Sequence, residues 1–593
     1  MSRRVLTTLG ALALSLAGES LIVFARLPLA GAALLLAGVS IWLWTLARAA
    51  PALEVEADLS RRWSAFAMLG ILAAGFVLRR WQIQAIPWGL NNDEGIEGLI
   101  ACRFLAGERI APFSSIGVAR ETLYHLLLMP LISLMGPTMA SLRLLSLLCA
   151  LGAIILIERA GAELFSRRVG LGAAFLLSVS PWHLLYSRVG LRNILLPVLL
   201  LAGMVSFARA LRGRKPAMFA LTGALLAAGM YSYTSFRVVP LAFLLWALLR
   251  SRLAGSPPMS WKETALTAGS FTVLMIPQLW VFSAGPAAYL ARGAYVLTQT
   301  PDASIGQNLF FSLVMPVAYP AKYGVMQSRW YFGDGVSLVY AAVGRTPESV
   351  VSATLMALGF AASWVRLIRR RSEGEGVLLL LFATTLVTVG LAGPSLTRLI
   401  GLLPLLCLMG ALALEEIRLA LRGASPHALA AAVTGALLAG AAVLGFEQYF
   451  LSAGRSPKAM FYFAAPQTIM GLYAAGAATD HPVHIFYTEE PETLQFLTFA
   501  QRERVTLQHD PQKADWRSLP GAGGRQEFVM ENQRAFLPVF TEIAQANPWA
   551  DATMLTDPQH RSSVPVAYVL DLNPAHRTQG PAGPGASAPP PPP

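Results

Sequence analysis

The sequence predicts a polytopic α-helical membrane protein with a small α/β domain near its C-terminus. Hydrophobic residues make up 55% of the 593 positions and charged residues only 13%, which is about half the charged share of soluble domains. The mean hydropathy is +0.53. A soluble fold could not bury that much apolar surface, so we expect the chain to lie in a lipid bilayer.

The net charge of +13 does not indicate a nucleic-acid partner, because Arg and Lys lie in short segments between apolar runs and not on one amphipathic face. Short loops rich in Lys and Arg remain in the cytoplasm. The segments placed there by this rule are Arg3 and Arg4, Arg48 to Arg62, Arg159 to Arg168, Arg209 to Lys215, Arg250 to Lys262, Arg366 to Arg371, and Arg418 to Arg422.

The intervening segments are then expected outside the cell. They are the loop Trp81 to Glu121, the turns Pro181 to Asn193 and Tyr231 to Arg237, the stretch Ala284 to Glu348, the turn at Arg398, and everything after Glu447. A crossing needs about 20 apolar residues. Tyr124 to Gly136 is shorter and contains Pro130, so we interpret it as re-entrant or interfacial. This assignment gives about 13 crossings.

The first apolar run, up to Ala17, also has features of a signal peptide. A second run, Pro28 to Ala47, follows at once. Cleavage after the first run would leave the downstream orientation unchanged, and an uncleaved span is our interpretation.

Four regions follow in chain order. Residues 1–62 hold two transmembrane helices and a cytoplasmic loop, and residues 63–447 hold the main transmembrane domain with external loops 81–121 and 284–348. Residues 448–573 form an external α/β domain, and the Pro-rich residues 574–593 are expected to be disordered. The predicted strands are His484 to Tyr487, Glu527 to Met530 and Val566 to Leu570, and the predicted helices are Leu494 to Ala500 and Ala535 to Ala546.

The first external loop contains a cluster of acids, Asp93, Glu94 and Glu97, directly before an apolar run. Acids and Asn at such a position cap a helix, because their side chains bond free backbone amides. Asp93 at the membrane surface could equally accept a proton from an acceptor hydroxyl or bind a divalent cation. The two interpretations are compatible.

Five arginines lie at external ends of spans, against the charge bias that places the other basic residues inside. They are Arg143, Arg188, Arg192, Arg237 and Arg398. Arginine binds phosphate in a bidentate manner, so the set predicts a site for a lipid phosphate. The alternative is that each side chain reaches the lipid headgroups without any substrate.

The aromatic residues of the long external stretch allow two interpretations as well. Aromatic side chains pack on sugar faces, but Tyr and Trp also populate membrane interfaces by default. The residues concerned are Tyr289, Tyr295, Tyr319, Tyr323, Trp330, Tyr331 and Phe332, with Lys322 and Arg329. An interfacial belt is the simpler interpretation.

A span followed by an external loop with the pair Asp93-Glu94, then a long polytopic body and an external C-terminal domain, resembles the GT-C superfamily of membrane glycosyltransferases. The pattern is most similar to glycosyltransferase family 39, which includes protein O-mannosyltransferases and lipid A aminoarabinose transferases. The likeness covers about Trp63 to Glu447.

Two further segments carry this resemblance. Arg120 to Tyr124 resembles the family's acidic or His-Pro-Pro segment, with Thr122 where the family often has Pro. Ser187 to Asn193 resembles its Ser-Arg segment, with Asn193 where a later acid is common.

The resemblance implies transfer of a sugar from a polyprenyl-phosphate donor to an extracytoplasmic lipid, protein or cell-envelope glycan. Asp93 and Glu94 would be catalytic, the five arginines would hold the donor phosphate, and Glu121 and Glu97 would contact substrate or a divalent cation. No other cofactor is expected. The protein would lie in the inner (plasma) membrane with its site facing outward. The alternative function is a transporter or flippase of lipid-linked glycans, which would carry ionisable groups near mid-bilayer.

Overall fold

Two compact units make up the fold of this computed structural model. The first comprises Met1–Ile83, Ile110–Tyr124 and Leu145–Gly454, and the second comprises Gln84–Arg109, His125–Leu144 and Arg455–Pro593. The structure describes residues 3–25, 27–48, 59–114, 116, 119–287, 290, 294, 304–314, 346–392, 395–422, 427–456, 462–488, 490–509, 516–519, 524–558 and 564–579. The aromatic residues that the sequence analysis named in the long external stretch, the first being Tyr289 and the last Phe332, lie outside these ranges.

Long apolar helices dominate the first unit, as the composition predicts. The helices up to the long external stretch are α1 (Arg3–Ser20), α2 (Pro28–Arg48), α3 (Arg61–Arg80), α4 (Asn92–Leu105), α5 (Leu123–Met135), α6 (Met139–Leu164), α7 (Arg167–Val179), α8 (Pro181–Tyr186), α9 (Leu195–Gly213), α10 (Pro216–Met230), α11 (Val239–Ala254) and α12 (Trp261–Ala284). Those after it are α13 (Ile305–Val314), α14 (Val350–Arg370), α15 (Glu373–Ala392), α16 (Leu396–Leu399), α17 (Leu402–Arg422) and α18 (His427–Phe446). Of these, α4, nearly all of α5 and the first residues of α6 belong to the second unit.

Eight helices among the described residues are long and apolar enough to cross a membrane. They are Arg3–Phe24, Leu29–Arg48, Arg61–Arg80, Met139–Leu164, Arg192–Gly213, Trp261–Ala284, Val350–Arg369 and Ala428–Ala453. The helix Leu123–Met135 contains Pro130 and falls below that length, and its re-entrant character stays a prediction. The count of about 13 crossings is a prediction as well.

Ion pairs link helix ends that the charge rule places in the cytoplasm. Glu163 at the end of α6 accepts from Arg209 at 2.8 Å and from Arg212 at 2.6 Å, both near the end of α9. Arg250 of α11 pairs with Glu373 of α15 at 2.7 Å. Each pair joins two helix ends that the charge rule assigns to the same side, and that assignment stays a prediction.

The second unit is built on a five-stranded sheet. Its strands are β1 (Val483–Phe486), β2 (Val505–Gln508), β3 (Gln526–Glu531), β4 (Asp551–Leu555) and β5 (Ala567–Leu572), and its further helices are α19 (Ala465–Ala477), α20 (Glu492–Leu497) and α21 (Leu537–Ala546). The strand order is β2-β1-β3-β5-β4, with β2, β1 and β3 parallel and β5 antiparallel to both β3 and β4.

The predicted strands β1, β3 and β5 and the predicted helices α20 and α21 are confirmed with slightly shifted ends. The sequence analysis missed β2 and β4, which are the two edge strands. Their side chains are half-buried in β2 and mostly exposed in β4, so neither has the apolar run that predicts a buried strand.

Helix α4, from the first external loop, packs on α20 of the second unit. Gly95 and Gly98 allow the close approach: an added Cβ at Gly95 would lie 2.7 Å from the backbone nitrogen of Thr493, and one at Gly98 would meet the ring of Phe496. The hydroxyl of Thr493 also donates to the carbonyl of Leu90 at 3.1 Å. The unit that contains the sheet therefore takes in part of the region assigned to the main transmembrane domain.

The predicted disordered tail begins with an ordered turn, because Pro574–Gln579 form a 3-10 helix. The amide of Ala575 donates to the side chain of Asn573 at 3.1 Å, and His576 lies 2.8 Å from the carboxylate of Asp551. These contacts hold the first residues of the tail, while residues 580–593 lie outside the described ranges.

Candidate active site

Glu121 is positioned by a short antiparallel turn in the first unit. Phe113 and Glu121 pair as an isolated bridge, and the hydroxyl of Thr122 donates to the carbonyl of Ala111 at 2.9 Å. The amide of Leu123 then donates to the carbonyl of Tyr231 at 3.0 Å. Thr122 thus holds the turn itself, and Leu123 links the turn to the connection that begins at Tyr231.

Two arginines converge on the carboxylate of Glu121, which is fully buried. One carboxylate oxygen, Oε1, accepts from the hydroxyl of Thr234 at 2.7 Å and from Nη2 of Arg237 at 3.4 Å. The other, Oε2, lies 3.6 Å from Nε of Arg192. We call Glu121, Arg192 and Arg237 the outer triad.

The local backbone of both arginines is similar. Arg192 begins a 3-10 helix directly before α9, and Arg237 lies in the 3-10 helix Thr234–Val238 directly before α11. Their guanidinium groups lie over the rings of Tyr233, at 5.2 Å, and Phe113, at 5.9 Å, respectively. Ring contact and the shared carboxylate fix the direction of each guanidinium group.

Arg188, by contrast, donates hydrogen bonds to backbone carbonyls. Its guanidinium group donates to the carbonyls of Leu78 at 2.7 Å, Arg79 at 2.9 Å and Trp81 at 2.7 Å, at the C-terminal end of α3. The last carbonyls of a helix generally lack partners within that helix, so Arg188 satisfies the end of α3. Burial lowers the pKa of Arg188. The geometry favours a structural role over the predicted contact with donor phosphate.

Arg143 and Arg398, the remaining predicted arginines, are both buried. Arg143, in the second unit, donates to the carbonyls of Pro87 at 3.0 Å and Gly89 at 2.6 Å, and its Nε lies 3.9 Å from Glu94. Arg398 is buried in α16. Of the five arginines that the sequence predicted as one set, the structure brings Arg192 and Arg237 together on Glu121.

Two acids of the first loop, Asp93 and Glu94, have different contacts at the start of α4. Asn91 is the N-cap: its side chain accepts from the amide of Asp93 at 2.9 Å, and Glu94 accepts from the amide of Asn91 at 3.0 Å. This is a capping box. Capping therefore uses the side chains of Asn91 and Glu94, while the partly buried carboxylate of Asp93 is not the capping group. For Glu94 the geometry favours structure over the predicted catalytic role.

Glu97, predicted to contact substrate or metal, forms a buried pair with a residue that the sequence analysis did not single out. Its Oε2 lies 2.6 Å from Nε2 of His125, and both side chains are almost fully inaccessible. A hydrogen bond this short to an imidazole occupies one carboxylate oxygen of Glu97.

Sequence analysis also missed buried polar groups of the first unit. Arg79 contacts Nδ1 of His183 at 2.7 Å, and Glu348 accepts a hydrogen bond from the hydroxyl of Ser180. Burial raises the pKa of Glu348 to about 8, although the bond from Ser180 opposes that shift. Arg79 has the same sequence feature as the five arginines, because the charge rule places it at an external end of a span.

The divalent cation at Glu121 and Glu97 stays a prediction. Among the described residues, no group of three or more His, Cys, Asp or Glu side chains is arranged to hold one. The carboxylate of Glu121 faces two guanidinium groups, and that of Glu97 faces His125. Positive neighbours disfavour a cation at Glu121.

Residues 123–280 match the family described as dolichyl-phosphate-mannose-protein mannosyltransferase. No curated protein matches the sequence. The chain is similar to the crystal structure of ArnT from Cupriavidus metallidurans bound to undecaprenyl phosphate, with a TM-score of 0.51, 12% identity, and coverage of 86% of this chain and 98% of that one.

A second similar structure is the oligosaccharyltransferase of Archaeoglobus fulgidus in the apo form, with a TM-score of 0.47 and 13% identity over 80% of this chain and 70% of that one. The segment matched by the family contains Arg192 and Arg237 of the outer triad. The chain thus has a fold similar to that of the ArnT structure, and residues 123–280 match the mannosyltransferase family.

Proposed function

We propose that the protein is a membrane glycosyltransferase that moves a sugar from a polyprenyl-phosphate donor to an acceptor outside the cytoplasm. The observation that carries this proposal is the outer triad, in which two guanidinium groups converge on one buried carboxylate. Both arginines lie within the segment that matches a family of dolichyl-phosphate-dependent mannosyltransferases. The ArnT structure of the same fold holds undecaprenyl phosphate.

The chemistry of the triad suits a phosphate. Its three side chains carry two positive charges and one negative charge, and each guanidinium group offers a planar fork of donors that matches phosphate oxygens. Glu121 orders the two arginines before a ligand arrives. Such preorganisation lowers the entropic cost of binding.

In the proposed reaction, a hydroxyl oxygen of the acceptor attacks the anomeric carbon of the donor sugar with inversion. The bond between that carbon and the phosphate oxygen breaks, and polyprenyl phosphate leaves with the bonding electrons. Arg192 and Arg237 stabilise the charge on the leaving phosphate. Asp93 takes the proton of the attacking hydroxyl as general base. No step passes through a metal ion, and the divalent cation stays a prediction.

The orientation is part of the proposal. We place the outer triad on the outer side of the inner (plasma) membrane, because the opposite helix ends carry the exposed basic residues, as in the pairs of Glu163 with Arg209 and Arg212. The alternative, a transporter or flippase of lipid-linked glycans, is not favoured, since the family and the similar structures are glycosyltransferases.

The test replaces Asp93 by Asn in cells. The substitution removes the charge but leaves the capping box of Asn91 and Glu94 intact, so helix α4 should form as before. We expect a loss of about 10²- to 10⁴-fold in transfer, which is the usual contribution of a general base. Mass spectrometry of envelope lipids and glycans measures the product that depends on the protein.

Asp480→Asn is the matched control, because Asp480 lies in an exposed turn. Both variants should reach the membrane at the level of the wild type. A normal product level with Asp93→Asn would remove this residue from the catalytic role. No difference in envelope lipids and glycans between cells with and without the protein would overturn the proposed function.

A further inference from the structure

The second unit contains an open cleft of about 440 Å³ that the proposed reaction does not use. One wall is the C-terminal half of α4, with Leu99 and Arg103, and the other is formed by Phe499, Arg502 and the edge strand β2 with Leu507. The volume is in the range of pockets that hold small organic ligands.

Two arginines give the cleft a positive character. The guanidinium group of Arg502 lies 4.7 Å from the ring centre of Phe499 and donates to that residue's carbonyl at 3.1 Å. Arg103 is exposed, and within the part of the chain that the structure describes its side chain has neither an ion pair nor a hydrogen bond. Glu108 is the one carboxylate among the described residues that line the cleft.

The rest of the lining is mixed. Leu99, Val505 and Leu507 are apolar, Gln495 and Thr498 are polar, and the ring of Phe499 is half-buried. An aromatic ring beside apolar side chains suits the C–H face of a sugar ring, and polar side chains suit its hydroxyls. Guanidinium groups at the rim suit a carboxylate or a phosphate on that sugar.

We propose that this cleft binds an anionic sugar of the acceptor, a step that rests on the proposed function. Asp93 and Arg103 lie on the same helix α4, and a rise of about 1.5 Å per residue separates them by about 15 Å along the axis. A sugar in the cleft is therefore distant from the hydroxyl that reacts. The cleft recognises a remote part of an extended acidic acceptor and sets which acceptors the enzyme uses.

The experiment measures binding by the purified full-length protein in detergent, without any donor. The probes are glucuronic acid and glucose 6-phosphate, with glucose and inorganic phosphate as controls for the sugar and for the anion alone. We expect the two anionic sugars to bind at least about tenfold more tightly than either control. The tighter of the two identifies the anion as carboxylate or phosphate.

Arg103→Ala and Arg502→Ala should each weaken this binding about tenfold, the lower end for a hydrogen bond to a charged group. Arg517→Ala is the matched control, because Arg517 also lies over an aromatic ring, that of Trp516 at 4.6 Å, but does not line the cleft. It should bind the anionic sugars as the wild type does.

Equal binding of glucose, equal binding of inorganic phosphate, or unchanged binding in both cleft variants would overturn the inference. Since no donor is present, these results do not depend on transfer. If the anionic sugars show no preferential binding but Asp93→Asn is deficient in transfer, the cleft inference fails and the proposed function stands. If the anionic sugars bind as expected but Asp93→Asn is fully active in transfer, the cleft inference stands and the proposed role of Asp93 is contradicted.

Discussion

The first unit contains two charge clusters of opposite composition. In the outer triad, the carboxylate of Glu121 faces Arg192 and Arg237. In what we call the inner triad, the guanidinium group of Arg366 faces Glu375 and Glu416, the latter at 2.6 Å. One cluster has two cations for one anion, and the other has two anions for one cation.

The difference lies in the elements as well as the charges. The inner triad joins three regular helices, α14, α15 and α17, at ends assigned to the cytoplasm. The outer triad lies on a turn and two 3-10 helices in connections that the charge rule places outside. Connections on a rigid helical scaffold are where binding groups usually lie. We propose that the inner triad holds helices together, whereas the outer triad is arranged to receive an anion.

The largest expected effect comes from matched substitutions in the two triads. Glu121→Gln removes the one carboxylate of the outer triad, and breaking a buried ion pair costs about 3–5 kcal/mol. Glu416→Gln leaves Arg366 with Glu375, so its cost should be smaller. We expect Glu121→Gln to lower both the thermal midpoint and the product level per folded molecule, and Glu416→Gln to lower the midpoint alone.

Thermal unfolding in detergent and mass spectrometry of the product measure the two effects. If Glu121→Gln and Glu416→Gln lose transfer equally at matched amounts of folded protein, the distinction between a binding triad and a structural triad is contradicted.

A somewhat smaller effect is expected from Arg188→Ala, which tests whether an external arginine can be structural. Three carbonyls at the end of α3 lose their donors. A buried polar group left without a partner costs about 1–3 kcal/mol, so a total loss of about 3 kcal/mol or more is expected. The measurement is the thermal midpoint of the purified variant. If the variant is stable but binds undecaprenyl phosphate more weakly, the result would instead support the phosphate-binding role that the sequence predicted for Arg188.

The sequence was sufficient for the fold class and for most of the sheet unit. Apolar length and the placement of Arg and Lys depend on the bilayer, which acts on each segment separately. Central strands such as β1 and β3 are buried on both sides, so their composition identifies them. The edge strands β2 and β4 lack that pattern, because one side of each has no neighbouring strand.

The site was less predictable for a physical reason. Arg188 and Arg192 are close in sequence and similar in surroundings, yet one donates to backbone carbonyls and the other pairs with Glu121. The partner of Arg237 lies far away along the chain. Only tertiary packing decides whether a guanidinium group meets a carbonyl, a carboxylate or a ligand. The same applies to Glu348, whose burial against Ser180 has no signature in the local sequence.

The most direct test of the central claim is a titration of the purified protein with undecaprenyl phosphate. If the outer triad binds the donor phosphate, Arg192→Ala should weaken affinity by about 1.5–3 kcal/mol, the contribution of a hydrogen bond to a charged group. Arg192→Lys should restore part of it, because lysine keeps the charge but lacks the planar fork. Arg212→Ala, at an exposed inner ion pair, should have almost no effect. Unchanged affinity in a correctly folded Arg192→Ala variant would contradict the claim that the outer triad binds the donor phosphate.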